Sequence, residues 1–261
     1  MPPTQPPSVR NEFIQWYNDI PPITRTMLTM TSVFSLNAIF QFVRSDRLYL
    51  IWPLILRKWE LWRLVTNFFT CHVDLTFIFN LYFMYTYSVK LETEVFQGQP
   101  ADYVYFLLFN SAIQLLLDNY FQKVFTLSRA VVPSIMYLWS KHNADQEVSF
   151  MFGFRFKAIF LPWVVAAYEY IGTSGIIPYA TLYGIASSHL YYYFKTVYPR
   201  TGGRQYLTTP GFLQRWFPPT IGSYRSSGVG YVWTNNQQRQ RTQERTNIMG
   251  GHNWGRGHRL T

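Results

Sequence analysis

Two long stretches without charge constrain this chain more than any other feature. Thr26–Val43 runs 18 residues, and Tyr170–Phe194 runs 25, without a Lys, Arg, Asp or Glu. A helix that crosses a bilayer needs about 20 mostly apolar residues, so both read as spans. Four weaker segments lie between them, at 64–89, 103–120, 123–140 and 156–172. Their charge-free cores are Leu75–Val89, Tyr103–Leu117, Ala130–Ser140 and Ala158–Tyr168. Any one of these alone fits a buried helix of a water-soluble protein. Four in series between two strong spans fit a polytopic bundle better. The expected fold class is an all-α integral membrane protein of six transmembrane helices, with both termini on one side.

Charge separates the chain into two unlike parts. Met1–Phe194 carries 13 basic and 12 acidic residues, whereas Lys195–Thr261 carries 10 basic residues and one acidic residue, Glu244. Nearly all of the net charge of +10 therefore sits in the last quarter. A mean hydropathy of -0.06 averages a hydrophobic body and a polar tail. This distribution excludes an ordinary soluble enzyme with an evenly charged surface. Cys71 is the single cysteine, which excludes an internal disulfide framework and a Cys-based zinc cluster. No cofactor and no metal are expected.

Orientation follows the Lys and Arg residues that flank spans. The tail, together with Lys141, Arg155 and Lys157 after the fourth span, favours cytosolic termini. The first connection disagrees, because it carries Arg44, Arg47, Arg57, Lys58 and Arg63 on the far side. It also holds Trp52, Trp59 and Trp62, so it reads as a structured segment of the headgroup layer. At the N-terminus, MPPTQPPSVRNEF lacks the apolar run and small-residue site of a cleavable signal peptide. Residues 1–25 are expected to hold a short interfacial amphipathic segment ended by Pro21 and Pro22. The membrane domain then covers 26–194, a juxtamembrane segment 195–217, and a disordered basic tail 218–249, ahead of a distinct end at 250–261.

Four groups of residues could carry function. Glu60, Trp62 and Arg63 open the second span, where an arginine fork can hold loop carbonyls; a generic interfacial anchor explains them equally simply. Gly184 and Ser188 are small residues four apart in the sixth span, which lets two helices approach closely. His189 follows them, and reads as a structural hydrogen-bonder or as the lining of a polar path. Asn80, Asn110 and Gln114, with Asn67, His72, Asp74, Asp118 and Glu169, need internal partners or a hydrated cavity. Last, Trp254-Gly255-Arg-Gly257-His-Arg259-Leu260 suits a short linear motif, since the glycines allow close backbone approach and Trp and Leu can fill pockets. The arginines of 239–245 lack interleaved aromatics, so a nucleic-acid partner is not expected.

Several of these residues fall in a familiar order. WYNDIPPITR at 16–25, Trp62-Arg63, Asn80–Tyr87 with Leu91-Glu92-Thr93, and PADYVYFLLF at 100–109 come first. VSFMFGFRFK at 148–157, Leu161-Pro162-Trp163, Ser188–Tyr191 and Gly202–Trp216 follow, and HNWGRGHRL comes last. In this order and spacing the chain resembles the Derlins, rhomboid-like pseudoproteases of the endoplasmic reticulum membrane. The resemblance implies a six-span rhomboid-like bundle with cytosolic termini. It implies action in the retrotranslocation of misfolded proteins for ubiquitin-dependent degradation, beside a membrane ubiquitin ligase complex and in contact with membrane lipids. It also implies that Trp254–Leu260 binds the AAA ATPase valosin-containing protein, and that Glu60, Trp62 and Arg63 belong to a luminal loop and lateral gate. Homo- or hetero-oligomers are compatible with it. Active rhomboids carry Gly-X-Ser-Gly in span four and a His three residues before the span-six packing pair. Here those places read Ser128-Arg-Ala-Val-Val-Pro-Ser134 and Thr181, so neither half of the catalytic dyad is present. The alternatives are an active serine hydrolase pairing Ser134 or Ser128 with His189, and a scaffold that only tethers the ATPase.

Overall fold

The computed structural model of the protein describes residues 9–40, 42–44, 47–71, 73, 75–150, 153–218, 222–227 and 230–235. The chain is mostly helical, and six of its longer helices fall on the six candidate segments. They are α2 (Pro22–Phe40), α5 (Leu75–Lys90), α6 (Pro100–Phe121), α7 (Ser128–His142), α8 (Leu161–Gly172) and α9 (Tyr179–Tyr192). A short α1 (Val9–Asp19) precedes them, and Trp16 on it rests against Tyr85 of α5 with ring centroids 5.7 Å apart. The first connection forms α3 (Trp52–Lys58) and α4 (Arg63–Thr66). Single π-helical stretches, Leu91–Val95 and Tyr193–Val197, extend α5 and α9, and α10 (Tyr198–Arg200) and α11 (Gly211–Trp216) close the bundle's lower end.

Helix ends follow proline and left-handed residues. Pro100 and Pro162 stand in the first turns of α6 and α8, where a missing N–H costs nothing. Gln122 ends α6 in a left-handed conformation at φ 48°. The N-terminus of α2 is capped from another helix. Glu92 accepts hydrogen bonds from the backbone N–H groups of Ile23 (3.1 Å) and Thr24 (2.9 Å) and from the Thr24 hydroxyl (2.8 Å). Ser88 joins this cluster by bonding Thr24 and Tyr103.

α7 is the central helix, with every residue from Ala130 to Ser140 buried. α5, α6, α8 and α9 pack around it. Trp139 of α7 meets Tyr87 of α5 edge to face, with centroids 5.2 Å apart, and Phe106 of α6 meets Tyr191 of α9 at 4.9 Å. Polar side chains are buried with this core, and large apolar ones are exposed outside it. Thr31, Ser35, Asn110, Gln114, Ser134, Ser140, Thr181, Ser187 and Ser188 are buried. Met30 and Val33 of α2, Ile78 of α5, Leu108 and Leu116 of α6 (Leu116 64% exposed) and Ile171 of α8 (76% exposed) face outward.

The structure departs from the sequence-based expectations in several places. Among the described residues no helix is long and apolar enough to cross a membrane. Residues 64–71 do not extend α5: Arg63–Thr66 forms its own turn, and Asn67 and Thr70 turn their side chains onto the carbonyls of Arg63 and Thr66 (2.5 and 2.9 Å). The helix expected over 170–194 is divided: α8 ends at Gly172, a turn follows, and α9 begins at Tyr179. Two short hairpins accompany the otherwise helical fold. Glu147–Ser149 (β1) and Arg155–Lys157 (β2) pair antiparallel, with Val148 opposite Phe156. In the tail expected to be disordered, Gly222–Ser227 (β3) pairs with Gly230–Asn235 (β4).

Candidate functional site

The first connection folds down onto the α6–α7 turn, and backbone bonds hold it there. Leu50 donates to the Phe125 carbonyl (2.8 Å), and the Trp52 indole N–H donates to Asp118 Oδ2 (3.0 Å). The other oxygen of Asp118 receives the Val124 N–H (3.1 Å), so one carboxylate ties the connection to the turn. Arg63 is 3% exposed. Its Nε donates to Glu60 Oε2 (2.6 Å), and a terminal guanidinium nitrogen donates to the Tyr49 carbonyl (2.9 Å). A planar fork of donors suits this double duty, and a lysine cannot reproduce it. Trp62 stands beside Arg63 but faces out, together with Leu56, Trp59, Leu61 and Val65. The connection thus has a charged inner side and an apolar outer ridge.

Beneath it lies a cleft of about 750 Å³. Its walls are Tyr49 and Ile51 of the connection, Lys123–Thr126 of the α6–α7 turn, Arg129 of α7, Glu169 and Thr173 of α8, and the 176–180 segment. Glu169 accepts a short hydrogen bond from Thr181 of α9, which joins α8 to α9 below the cleft.

Polar groups continue inward along α6, α7 and α9. Asn110 is 2% exposed and donates to the Phe106 carbonyl (2.8 Å). Gln114 donates across to the Ser187 hydroxyl of α9 (3.1 Å). Among the described residues, Asn110 Oδ1, Gln114 Oε1, Ser128 Oγ, the Tyr183 hydroxyl and Ser188 Oγ are buried without a hydrogen-bond partner. Gly184 lies against α7 so closely that a Cβ there would meet the Ala130 carbonyl oxygen at 2.2 Å. Ser188 is buried one turn further along. Asn80 lies apart from this group, half-buried on α5.

His189 is exposed, and its Nδ1 pairs with the Tyr137 hydroxyl of α7 at 2.6 Å. Ser134 donates to the Val131 carbonyl (2.6 Å), and Ser128 Oγ has no partner. The arrangement a hydrolase would need, a serine hydroxyl bonded to an imidazole, is not formed by these residues. No cluster able to hold a metal ion occurs among the described residues. Trp254, Gly255, Gly257, Arg259 and Leu260, like His72 and Asp74, lie outside the described residues.

Sequence reasoning overlooked two elements of this arrangement. Asp118 appeared only as one polar residue among several, although it anchors the first connection. Glu92 entered only within a shared motif, although it caps α2 from 68 residues away. Neither partnership has a local signal, since each forms only when distant segments meet.

A family model described as the Der1-like family matches residues 20–211 of the chain. Derlin-1 of Homo sapiens is 36% identical over 251 residues, covering 94% of this chain and 96% of that protein. Derlin-1 of Drosophila melanogaster is 37% identical over 219 residues, covering 82% and 88%. Derlin-2.2 of Zea mays is 34% identical over 230 residues, covering 83% and 92%. With similarity of this extent running through both the bundle and the first connection, the chain belongs to the Der1-like family, the derlins, whose sphere is endoplasmic-reticulum-associated degradation.

Proposed function

We propose that this chain is a catalytically inactive, rhomboid-like conduit of the endoplasmic reticulum membrane. In this reading α2 and α5–α9 cross the bilayer, with both termini cytosolic, and misfolded polypeptide moves through the bundle toward the cytosol. The observation that carries it is the outward apolar surface: large side chains such as Leu116 and Ile171 are exposed, while several amides and hydroxyls are buried. A lipid solvent makes that arrangement favourable.

The shortness of the helices supports the same reading. α7 and α8 have 15 and 12 residues. At about 1.5 Å per residue these two reach roughly 18–23 Å, short of the ~30 Å hydrocarbon layer. A bilayer relieves such a mismatch by thinning locally. A thinner barrier, the cleft, and unpaired amide oxygens on α6 and hydroxyls on α9 all lower the cost of moving peptide groups. That cost is several kcal/mol for each unsatisfied group in hydrocarbon. The Glu60–Arg63 segment would sit in the far leaflet as part of a lateral gate, its outer ridge in lipid and Arg63 fixing its inner side. Gly184 and Ser188 keep α9 against α7, and His189 serves as a hydrogen-bonder. The pairing of His189 with Tyr137, rather than with a serine, supports a pseudoprotease.

Pulling force would come from valosin-containing protein, docked on Trp254–Leu260 and assisted by a membrane ubiquitin ligase complex. Two changes test this. Deleting 250–261 is expected to abolish co-purification of the ATPase while leaving the bundle's thermal transition unchanged. Replacing Trp62 and Arg63 together is expected to slow clearance of a misfolded luminal substrate at normal expression. Undiminished ATPase binding in the first variant, or normal clearance in the second, contradicts the corresponding assignment.

A further inference from the structure

The segment below the bundle, 195–217, forms a built collar rather than a loose tether. Its chain turns at Gly202 and Gly203, where the Gly203 N–H donates to the Tyr198 carbonyl (3.1 Å). A Cβ on Gly203 would meet the Tyr198 ring at 2.2 Å, so only glycine lets the turn close on that ring. Tyr206 packs on the other part of the turn, its ring centroid 5.6 Å from that of Tyr198. Lys195 donates to the Leu207 carbonyl (2.9 Å), and Thr209 bonds Asp102 at the start of α6. Leu213 of α11 is buried against the bundle.

This fixed geometry holds aromatic groups outward. Phe212 and Trp216, one helical turn apart on α11, pair edge to face at 6.3 Å, and Trp216 is 76% exposed. Tyr206 is exposed with them. The same segment carries Lys195, Arg200, Arg204 and Arg215, all exposed, and 195–217 contains no acidic residue. The nearest acid on the docking element, Asp102, is occupied by Thr209. The collar docks on α6, where Thr209 reaches its first turn, and follows the C-terminal end of α9, so it stands at that end of the bundle.

We infer that this collar is a lipid-binding surface. Phe212, Trp216 and Tyr206 insert at the headgroup level of the adjoining leaflet, and the arginines select anionic phospholipid. Amphipathic rings beside cations are the combination that an anionic interface takes up, because apolar burial and charge attraction add. A soluble protein partner would need a complementary shape, whereas a single ring pair on a segment with exposed arginines needs only a fluid anionic surface. Held there, the collar fixes the depth of α6 and α9 in the bilayer. The inference rests on the membrane reading of the bundle.

The test uses the full chain with Cys71→Ser and one nitroxide label, at Gln214→Cys on α11 or at Leu116→Cys on the outward side of α6. Each is reconstituted in nanodiscs of phosphatidylcholine, alone or with about one third phosphatidylserine. Collision with oxygen and with a water-soluble nickel chelate reports depth. The label at 116 is expected in hydrocarbon in both discs. The label at 214 is expected at the headgroup level, its nickel accessibility falling at least about threefold when phosphatidylserine is present. Combined Arg200→Gln, Arg204→Gln and Arg215→Gln should remove that difference, as should molar salt. If the label at 214 stays equally water-accessible in both discs while that at 116 is buried, the collar is a solvated or protein-binding face and the inference fails alone. A water-accessible label at 116 overturns the bundle reading and this inference with it.

Discussion

At Gly184 a single added carbon decides how near two helices can come. The clash of a Cβ with the Ala130 carbonyl is with backbone, at 2.2 Å, so α9 must move as a whole. Gly184→Val is therefore expected to cost about 3 kcal/mol or more, as overpacking against an immovable neighbour does. A lower melting temperature in detergent checks it; a melting temperature equal to that of the unaltered chain contradicts it. Glu92 makes a different kind of contribution. Burial pushes its carboxyl above the ordinary range, and the hydrogen bonds from Thr24 and Ile23 only partly offset this. The folded chain thus holds this proton more tightly than the unfolded chain. The stability this gives is fully present below the unfolded pKa of about 4.5 and is lost as pH rises through the higher folded value. Melting followed upward from pH 4.5 should show that decline, and Glu92→Gln should flatten it. An unaltered pH profile in the variant would show that another group governs it. Gly184 was legible in the sequence, because small residues four apart announce close packing. Glu92 was not, because an acid just beyond a span looks like any solvated loop charge until α2 is seen to begin on it.

Elements were legible where lack of charge was the signal, and misread where side chains bonded to backbone. The charge-free windows located α2, α5, α6, α7, α8 and α9. Their starts were misplaced most at α5 and α9: before α5 the chain is held by the Ser35–Phe69 and Ser35–Cys71 bonds, and before α9 it turns after Gly172. The β1–β2 hairpin was missed, since three-residue strands leave almost no periodicity. Yet the hairpin places Phe150 between two spans. Its ring stacks on Phe83 of α5 at 5.4 Å, tilted by 3°, and meets the edge of Tyr168 of α8 at 6.1 Å. Phe150 therefore clasps α5 to α8 at the hairpin's end of the bundle. Phe150→Ala removes, besides its pair with Phe156, the two ring pairs that bridge α5 and α8, about 1–3 kcal/mol of local closure. Spin labels at Ile78 and Ile171, both outward-facing, should give a broader distance distribution in that variant. An unchanged distribution means that the two helices are held by other contacts.

At the scale of the whole molecule, an apolar core and a set of buried polar groups share one interior, while many large apolar side chains face outward. The body carries almost no net charge. The proposed reading makes lipid the partner of the outward side chains and moving polypeptide the partner of the buried polar groups. The basic collar stands at one end of the bundle. The sequence showed that division of charge plainly, and the derlin resemblance followed from the order of its motifs. The 750 Å³ cleft was not visible there, because it is assembled from Tyr49, Arg129, Glu169 and Tyr179, which lie far apart along the chain. The central claim is that polypeptide passes through this interior. The direct measurement is site-specific photocrosslinking during degradation of a misfolded luminal protein, from Ile177 in the cleft, Ser187 on α9 and, as an outward control, Leu116 on α6. The account predicts substrate adducts at 177 and 187 that accumulate when the ATPase is blocked, and none at 116. Adducts at 116 alone, or equal adducts at all three positions, would contradict passage through the bundle.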